Sequence, residues 1–194
     1  KHAILGDYQI EFGQGLTYWT SLAFGKSADI KSIKRNGRGI TPYTSADENN
    51  FMRGAATTLQ FGPVEVTAFG SSKMVDANKT VIDTLDEEVR VSEFSSFQTS
   101  GIHGTPSQLF DKDAVRETNF GGNIKLTQND NHVAATFVQT NYGSGFGGTA
   151  DLYRQFEGRS NSFYVAGFDY QFLIRNILGF GEASFRSDGG PAFL

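Results

Sequence analysis

At 194 residues, with a net charge of −4 and no cysteine, the chain excludes disulfides, thiolate metal sites and cysteine nucleophiles. That charge is too small to point to a nucleic-acid or anionic-membrane partner. No run of about 18 apolar residues occurs, so a transmembrane helix is excluded and strands are the remaining way across a bilayer.

Residues 3–12 alternate cleanly, with Ile4, Gly6, Tyr8, Ile10 and Phe12 on one face and Leu5, Asp7, Gln9 and Glu11 on the other. A period of two predicts a strand. If its apolar side meets lipid, Tyr8, Ile10 and Phe12 are lipid-facing, while Asp7, Gln9 and Glu11 line a lumen. Gly13-Gln14-Gly15 breaks the strand. Residues 16–26 are apolar without alternation, which predicts a short helix or a segment folded into the lumen. Residues 27–50 carry Asn36-Gly37 and Thr41-Pro42 and predict a long loop, with Lys31, Lys34 and Arg35 on its solvated side.

Two strands follow, 52–61 and 64–73, joined by a turn at Gly62-Pro63. Residues 74–117 predict a second long loop. Within it Thr105, Pro106 and Gln108 stand as N-cap, first helical residue and N3, a capping box that predicts a short helix through Leu109, Phe110, Ala114 and Val115. Strands 118–127 and 132–142 come next around a turn at 128–131, then a third long loop to about 161, then strands 162–172 and 178–186. Phe120, Ile124 and Leu126 oppose Asn119, Asn123 and Lys125. Phe168, Tyr170 and Phe172 oppose Asp169 and Gln171, and Ala183 and Phe185 oppose Glu182 and Arg186. The expected lipid face therefore adds Phe168, Tyr170 and Phe172. The expected lumen adds Asn123, Lys125, Asp169, Gln171, Glu182 and Arg186, with Asp169 and Arg186 as a pair across neighbouring strands.

Short turns at one end and long loops at the other are the rhythm of an outer-membrane barrel. The expected fold is all-β, an antiparallel transmembrane β-barrel, with 1–194 as part of one barrel domain and long external loops at 27–50, 74–117 and 143–161. The visible strands are too few to close a bacterial single-chain barrel, which needs an even number and at least about eight. The chain therefore reads as a segment of a larger barrel. The 18 Phe, seven Tyr and 23 Gly suit girdle aromatics and small residues between bulky neighbours.

Residues with chemistry are few. Gly143-Ser-Gly145-Phe-Gly-Gly148 fits the glycine pattern of a dinucleotide fingerprint, with Asp169 about twenty residues on. Strand 162–172 alternates with polar residues, however, whereas strands of such folds are buried on both faces. The glycines read better as a loop tip. His2, His103 and His132 lack metal-ligand spacing, and the acidic pairs Asp47-Glu48 and Asp86-Glu87 read as solvated loop. With Glu88 next to Asp86-Glu87, calcium or a lipopolysaccharide bridge is the less favoured reading of the acidic groups, so neither a metal nor a cofactor is expected. No G-x-S-x-G elbow occurs, and His103 is the one upper-rim candidate for an Asp/His or Ser/His site.

Four stretches carry a family resemblance: Leu5-Gly-Asp-Tyr-Gln-Ile-Glu-Phe-Gly-Gln-Gly-Leu16 with Trp19, Ser45-Ala-Asp-Glu-Asn-Asn-Phe-Met-Arg-Gly54, Gly101-Ile-His-Gly-Thr-Pro106 and Gly181-Glu-Ala-Ser-Phe185. The chain resembles Bacteroidota outer-membrane β-barrel proteins, including those that carry an upstream helix-hairpin-helix region. It departs from their pattern at Gly104, where Arg is expected. The resemblance implies a bacterial outer-membrane location, contact with outer-membrane lipid and lipopolysaccharide, and association with other envelope-complex subunits. It implies no catalytic residue, no cofactor and no nucleic acid bound by this segment. The expected function is a channel or a membrane-embedded complex subunit. The alternatives are a barrel enzyme at the cell surface and a nucleotide-binding domain using Gly143–Gly148.

Overall fold

Period-two alternation becomes an antiparallel meander in the computed structural model, which describes residues 1–22, 33–45, 50–85, 88–147 and 160–194, with 80–85 and 88–92 by their backbone. The elements are β1 (His2–Glu11), β2 (Gly39–Pro42), β3 (Met52–Phe61), β4 (Val64–Val75), β5 (Ala77–Leu85), β6 (Glu88–Phe97), α1 (Pro106–Phe110), β7 (Val115–Gln128), β8 (Asn131–Tyr142), β9 (Gly145–Phe146), β10 (Ser162–Ile174), β11 (Ile177–Arg186) and β12 (Pro191–Phe193). Nine strands form one sheet in the order β12-β11-β10-β8-β7-β4-β3-β1-β2, antiparallel at every step. β5, β6 and β9 form a second, small sheet in which β9 runs parallel to β6.

The short turns share one end of the large sheet. Pro63 accepts the Thr127 N–H at 2.9 Å, and the Asn131 side chain accepts the Leu173 N–H at 2.7 Å, so the three hairpin tips touch in sequence. Gly62 has φ +59 and Pro63 follows it, an order that suits a type II′ turn and the strand twist on either side. Asn129 and Arg175 occupy the same left-handed region with φ 54 and 55 in the other two turns. The described parts of the long connections, at 76–85, 88–114, 143–147 and 160–161, start from the opposite end.

The sheet curls. Six strand spacings separate β1 from β11, about 29 Å along a flat sheet. Gln14 lies three residues past Glu11, a reach of about 10 Å. Yet the Gln14 N–H donates to the Glu182 carboxylate of β11 at 2.7 Å. The two strands can meet through so short a segment only if the wall bends around residues 12–20. Among the described residues the sheet ends on β12 and β2, and no ladder joins those edges into a closed barrel.

The long connections differ from plain loops. Residues 74–117 hold the β5–β6 hairpin, extended directly from β4, and α1. The Thr105 side chain accepts the Gln108 N–H at 3.3 Å and Gln108 Oε1 accepts the Thr105 N–H at 3.1 Å, which is the expected capping box. The helix ends at Phe110 because Asp113 turns to φ 49 and Val115 already belongs to β7. Phe94, Phe97, Tyr142 and Phe146 pack together and bind this hairpin to the main sheet. Residues 16–22 are not helical. Thr20 pairs back on Ile10 and Tyr18 on Phe12, so the chain after β1 doubles over onto the inner face of the sheet. The rest of the 16–26 expectation, most of the 27–50 loop, the acidic pairs Asp47-Glu48 and Asp86-Glu87, and Lys31 lie outside the described residues.

Candidate functional site

Register sorts the wall into rows. On one face Leu59, Val66, Ile124, Ala135, Phe168 and Ala183 stand side by side across six strands. Phe61, Val64, Leu126, Val133 and Tyr170 form the next apolar row towards the turns. The large side chains of these rows are exposed, Phe168 at 48 %, Ile124 at 57 % and Phe61 at 58 %, while Val64, Val66, Val133 and Ala183 are half-buried. On the other face Gln60, Glu65, Lys125, Ala134, Asp169 and Glu182 form one row, and Thr58, Thr67, Asn123, Thr136, Gly167 and Ser184 the next. That face is polar and mostly buried, with Gln60 exposed and Glu65 and Lys125 half-buried, the reverse of a water-soluble sheet, which hides its apolar side.

Several inner polar groups satisfy one another, as burial favours, while Gln171 Oε1 is buried without a partner. Thr58 and Thr67 hydroxyls meet at 2.9 Å, Asn123 Nδ2 donates to Thr136 Oγ1 at 2.8 Å, and Thr140 Oγ1 donates to Asn119 Oδ1 at 2.6 Å. The His132 ring donates to Asp169 Oδ2 at 3.1 Å. Gln171 Nε2 donates to the Asp130 carbonyl at 2.7 Å. Lys125 stands between Glu65 and Ala134 in register and lines a polar cleft of about 270 Å³ together with Lys34, His132 and Asp169. Burial, and Lys125 opposite it, push the Lys34 ammonium below the usual lysine range.

Asn123, Lys125, Asp169, Gln171, Glu182 and Arg186 thus share the inner face, and Phe168, Tyr170 and Phe172 the outer one. Two expectations need correction. In β1 the faces are exchanged. Tyr8 and Ile10 are 0 % exposed and Phe12 is buried with them, in a core that includes Met52, Ala56, Phe69 and Val138. They face inward because the doubled-back segment supplies apolar partners there: Tyr18 stacks on Phe69 at 5.9 Å and Phe12 lies 6.3 Å from the same ring. Asp7 and Gln9 therefore occupy the outer face, where Arg53 donates to Asp7 at 2.8 and 3.0 Å and Gln9 Nε2 donates to the Asn50 carbonyl. Glu11, on that same side of β1, is buried beneath Arg38 and Ser21, both of which donate to it. The second correction concerns Asp169 and Arg186. Register sets Asp169 opposite Glu182 and Arg186 opposite Val165, too far along the strands to pair. Arg186 instead donates to Asp188 at 2.5 Å and lies over the Phe163 ring.

The remaining chemical candidates sit in the long connections. His103 does meet an aspartate, with its ring Nε2 2.7 Å from Asp76 Oδ2, but Asp76 also accepts the Asp113 N–H. Among the described residues no hydroxyl hydrogen-bonds the His103 ring. β8 and β10, which flank Gly143–Gly148, are antiparallel neighbours and not the parallel strands of a βαβ unit, and Gly145–Phe146 is β9 on the small sheet. Gly148 lies outside the described residues. No group of three or more His, Asp or Glu among the described residues could hold a metal ion.

The residue that sequence reasoning undervalued is Glu182. It is 3 % exposed, and its carboxylate accepts the backbone N–H groups of Gln14, Leu16 and Thr17 at 2.7, 3.0 and 2.8 Å. The signal was present in the sequence: a glutamate amid small residues in Gly181-Glu-Ala-Ser-Phe185, and a Gly-x-Gly turn at 13–15 able to present several N–H groups at once. No protein-family model, curated protein or solved structure matches the chain.

Proposed function

We propose that the chain is part of the wall of a β-barrel in a bacterial outer membrane, of the Bacteroidota kind its motifs resemble. It acts there as a channel or a membrane-embedded subunit of an envelope complex, with no reaction of its own. One observation carries the reading: the wall is inverted, with apolar rows exposed and hydrogen-bonded polar rows buried. In water an exposed apolar surface spanning six strands is strongly unfavourable, whereas in lipid it is the required surface. The dimensions agree. Tyr164 to Phe172 on β10 spans nine residues, about 27 Å along the strand, or about 20 Å of height at a barrel's tilt, close to the ~25 Å apolar band of such proteins. Further strands would continue the sheet at its β12 and β2 edges.

The test uses the full chain in cells. Single cysteines at Asp130, in a short turn, and at Lys112, in a long connection, should react with a membrane-impermeant maleimide from opposite sides of the outer membrane, and the protein should need detergent for extraction. Extraction by buffer alone, or labelling of both sites from one side, would overturn the reading.

A further inference from the structure

We infer that residues 13–17 form an internal strap that closes the inner face of the wall, and that Glu182 is the residue that fastens it. The strap stands on its own contacts. Only the consequence of closure, a lumen that does not conduct, rests on the barrel reading.

Gly13 and Gly15 take φ +57 and +83, and these left-handed positions turn the intervening backbone so that the N–H groups of Gln14, Leu16 and Thr17 converge on one point. A concavity of that kind binds an anion, and here the anion is a side chain of the same protein. Both carboxylate oxygens are used, Oε2 by Gln14 and Leu16, Oε1 by Thr17. Thr17 presses on β10 where Gly167 leaves no side chain. A Cβ there would stand 1.9 Å from Thr17 Oγ1, so β10 is shaped to receive the strap. Further on, Tyr18 stacks on Phe69 of β4. Beyond the strap, Ser21 and Arg38 donate to Glu11 at the end of β1.

The strap therefore runs from the end of β1 across the inner face to β11, and Glu182 fastens it from the far side of the wall, 165–168 residues away in sequence. Losing Glu182 would leave three N–H groups without partners in a buried place, and the loop would be expected to move to where water can satisfy them. The wall itself, paired strand to strand, does not use that carboxylate.

The test is made on the full chain in detergent with Thr17→Cys as reporter. Thr17 Oγ1 is buried without a hydrogen-bond partner, so the replacement sacrifices no bond. Maleimide labelling of that cysteine should be slow with Glu182 present, at least tenfold faster with Glu182→Ala, and intermediate with Glu182→Gln, which keeps one accepting oxygen. Unchanged labelling in Glu182→Ala overturns the strap. Should Glu182→Ala not fold, Gly13→Ala replaces it. Its new Cβ would lie 2.9 Å from the Glu182 carboxylate and displace the loop without altering the wall, so the same acceleration is expected and its absence is equally decisive. In planar bilayers the whole barrel that holds this wall should insert and stay silent while its Glu182→Ala variant conducts. A wild type that conducts as freely as the variant overturns closure. A wild type that never inserts sinks the barrel reading instead, and the labelling comparison still decides the strap.

Discussion

Asp169 and Glu182 stand directly opposite each other on β10 and β11, both buried on the inner face, and each carboxylate is satisfied by a different group. His132 donates to Asp169 and the backbone of residues 14–17 to Glu182. Like charges directly opposite in a ladder repel by up to about 1 kcal/mol. Asp169→Asn keeps an acceptor for the His132 ring and removes one charge, so it should leave stability unchanged or raise it by up to about 1 kcal/mol. His132→Ala, which strips Asp169 of its donor, should cost about 1–3 kcal/mol. Urea unfolding monitored by tryptophan fluorescence ranks the two. A larger loss for the asparagine variant would contradict the pairing.

The exposed rows make a depth-dependent prediction. Phe168 lies in the middle of the outer face, so Phe168→Arg should destabilise the inserted protein by about 2–4 kcal/mol. Arg at Asn176, in the β10–β11 turn, should stay within about 0.5 kcal/mol. Refolding into liposomes gives both values. Equal tolerance at the two positions would show that the apolar rows do not face lipid.

β1 answers differently. Ile10 is packed on every side, and Ile10→Ala should cost about 2–5 kcal/mol whether or not lipid is present. Tyr8→Phe removes the bond from the phenol to the Gly70 carbonyl, at 2.9 Å, and leaves that carbonyl one partner poorer, for a loss of about 1 kcal/mol. Denaturation in detergent suffices. A loss at Ile10 seen only in bilayers would restore the lipid-facing assignment.

That contrast shows what a sequence can and cannot express. Alternation in β1 tells that Tyr8, Ile10 and Phe12 share a face and Asp7 and Gln9 the other, and both groupings are present in the structure. It carries no sign, however, because apolar residues suit lipid and suit a packed interior equally well. The sign was set by Tyr18, which reaches the inner face only after a turn whose path cannot be read from residues 13–15 alone. β10 had no such competitor, and the placement of Phe168 against Asp169 follows its alternation directly. The capping box at Thr105 was legible because all its partners lie within four residues. The β5–β6 hairpin was missed although Val89 and Val91 alternate with Glu88 and Arg90, since the polar residues around them resemble loop material. The Asp169–Arg186 pairing failed for a simpler reason: opposite charge was read without the register that separates them.

Arg175 holds φ 55 in a two-residue turn, a conformation that costs an L-residue about 1–2 kcal/mol. Arg175→Gly should therefore stabilise the β10–β11 hairpin by about 0.5–1 kcal/mol, part of the gain being lost to the greater freedom of glycine in the unfolded chain. A higher midpoint in urea is the expected result. A lower one would mean that the arginine side chain contributes more than its backbone costs.

The reach of residues 14–17 to Glu182 also sets an order of assembly. The hairpins β3–β4, β7–β8 and β10–β11 close over two residues each, the local kind of contact that forms first. The Glu182 contact must wait until nearly the whole chain between its partners is in place, and contacts so distant in sequence are the slow ones. A chain halted short of residue 182 can raise most of its strands, yet the backbone at residues 14–17 has no carboxylate to close upon. The first turn in the sequence is the last to find its partner.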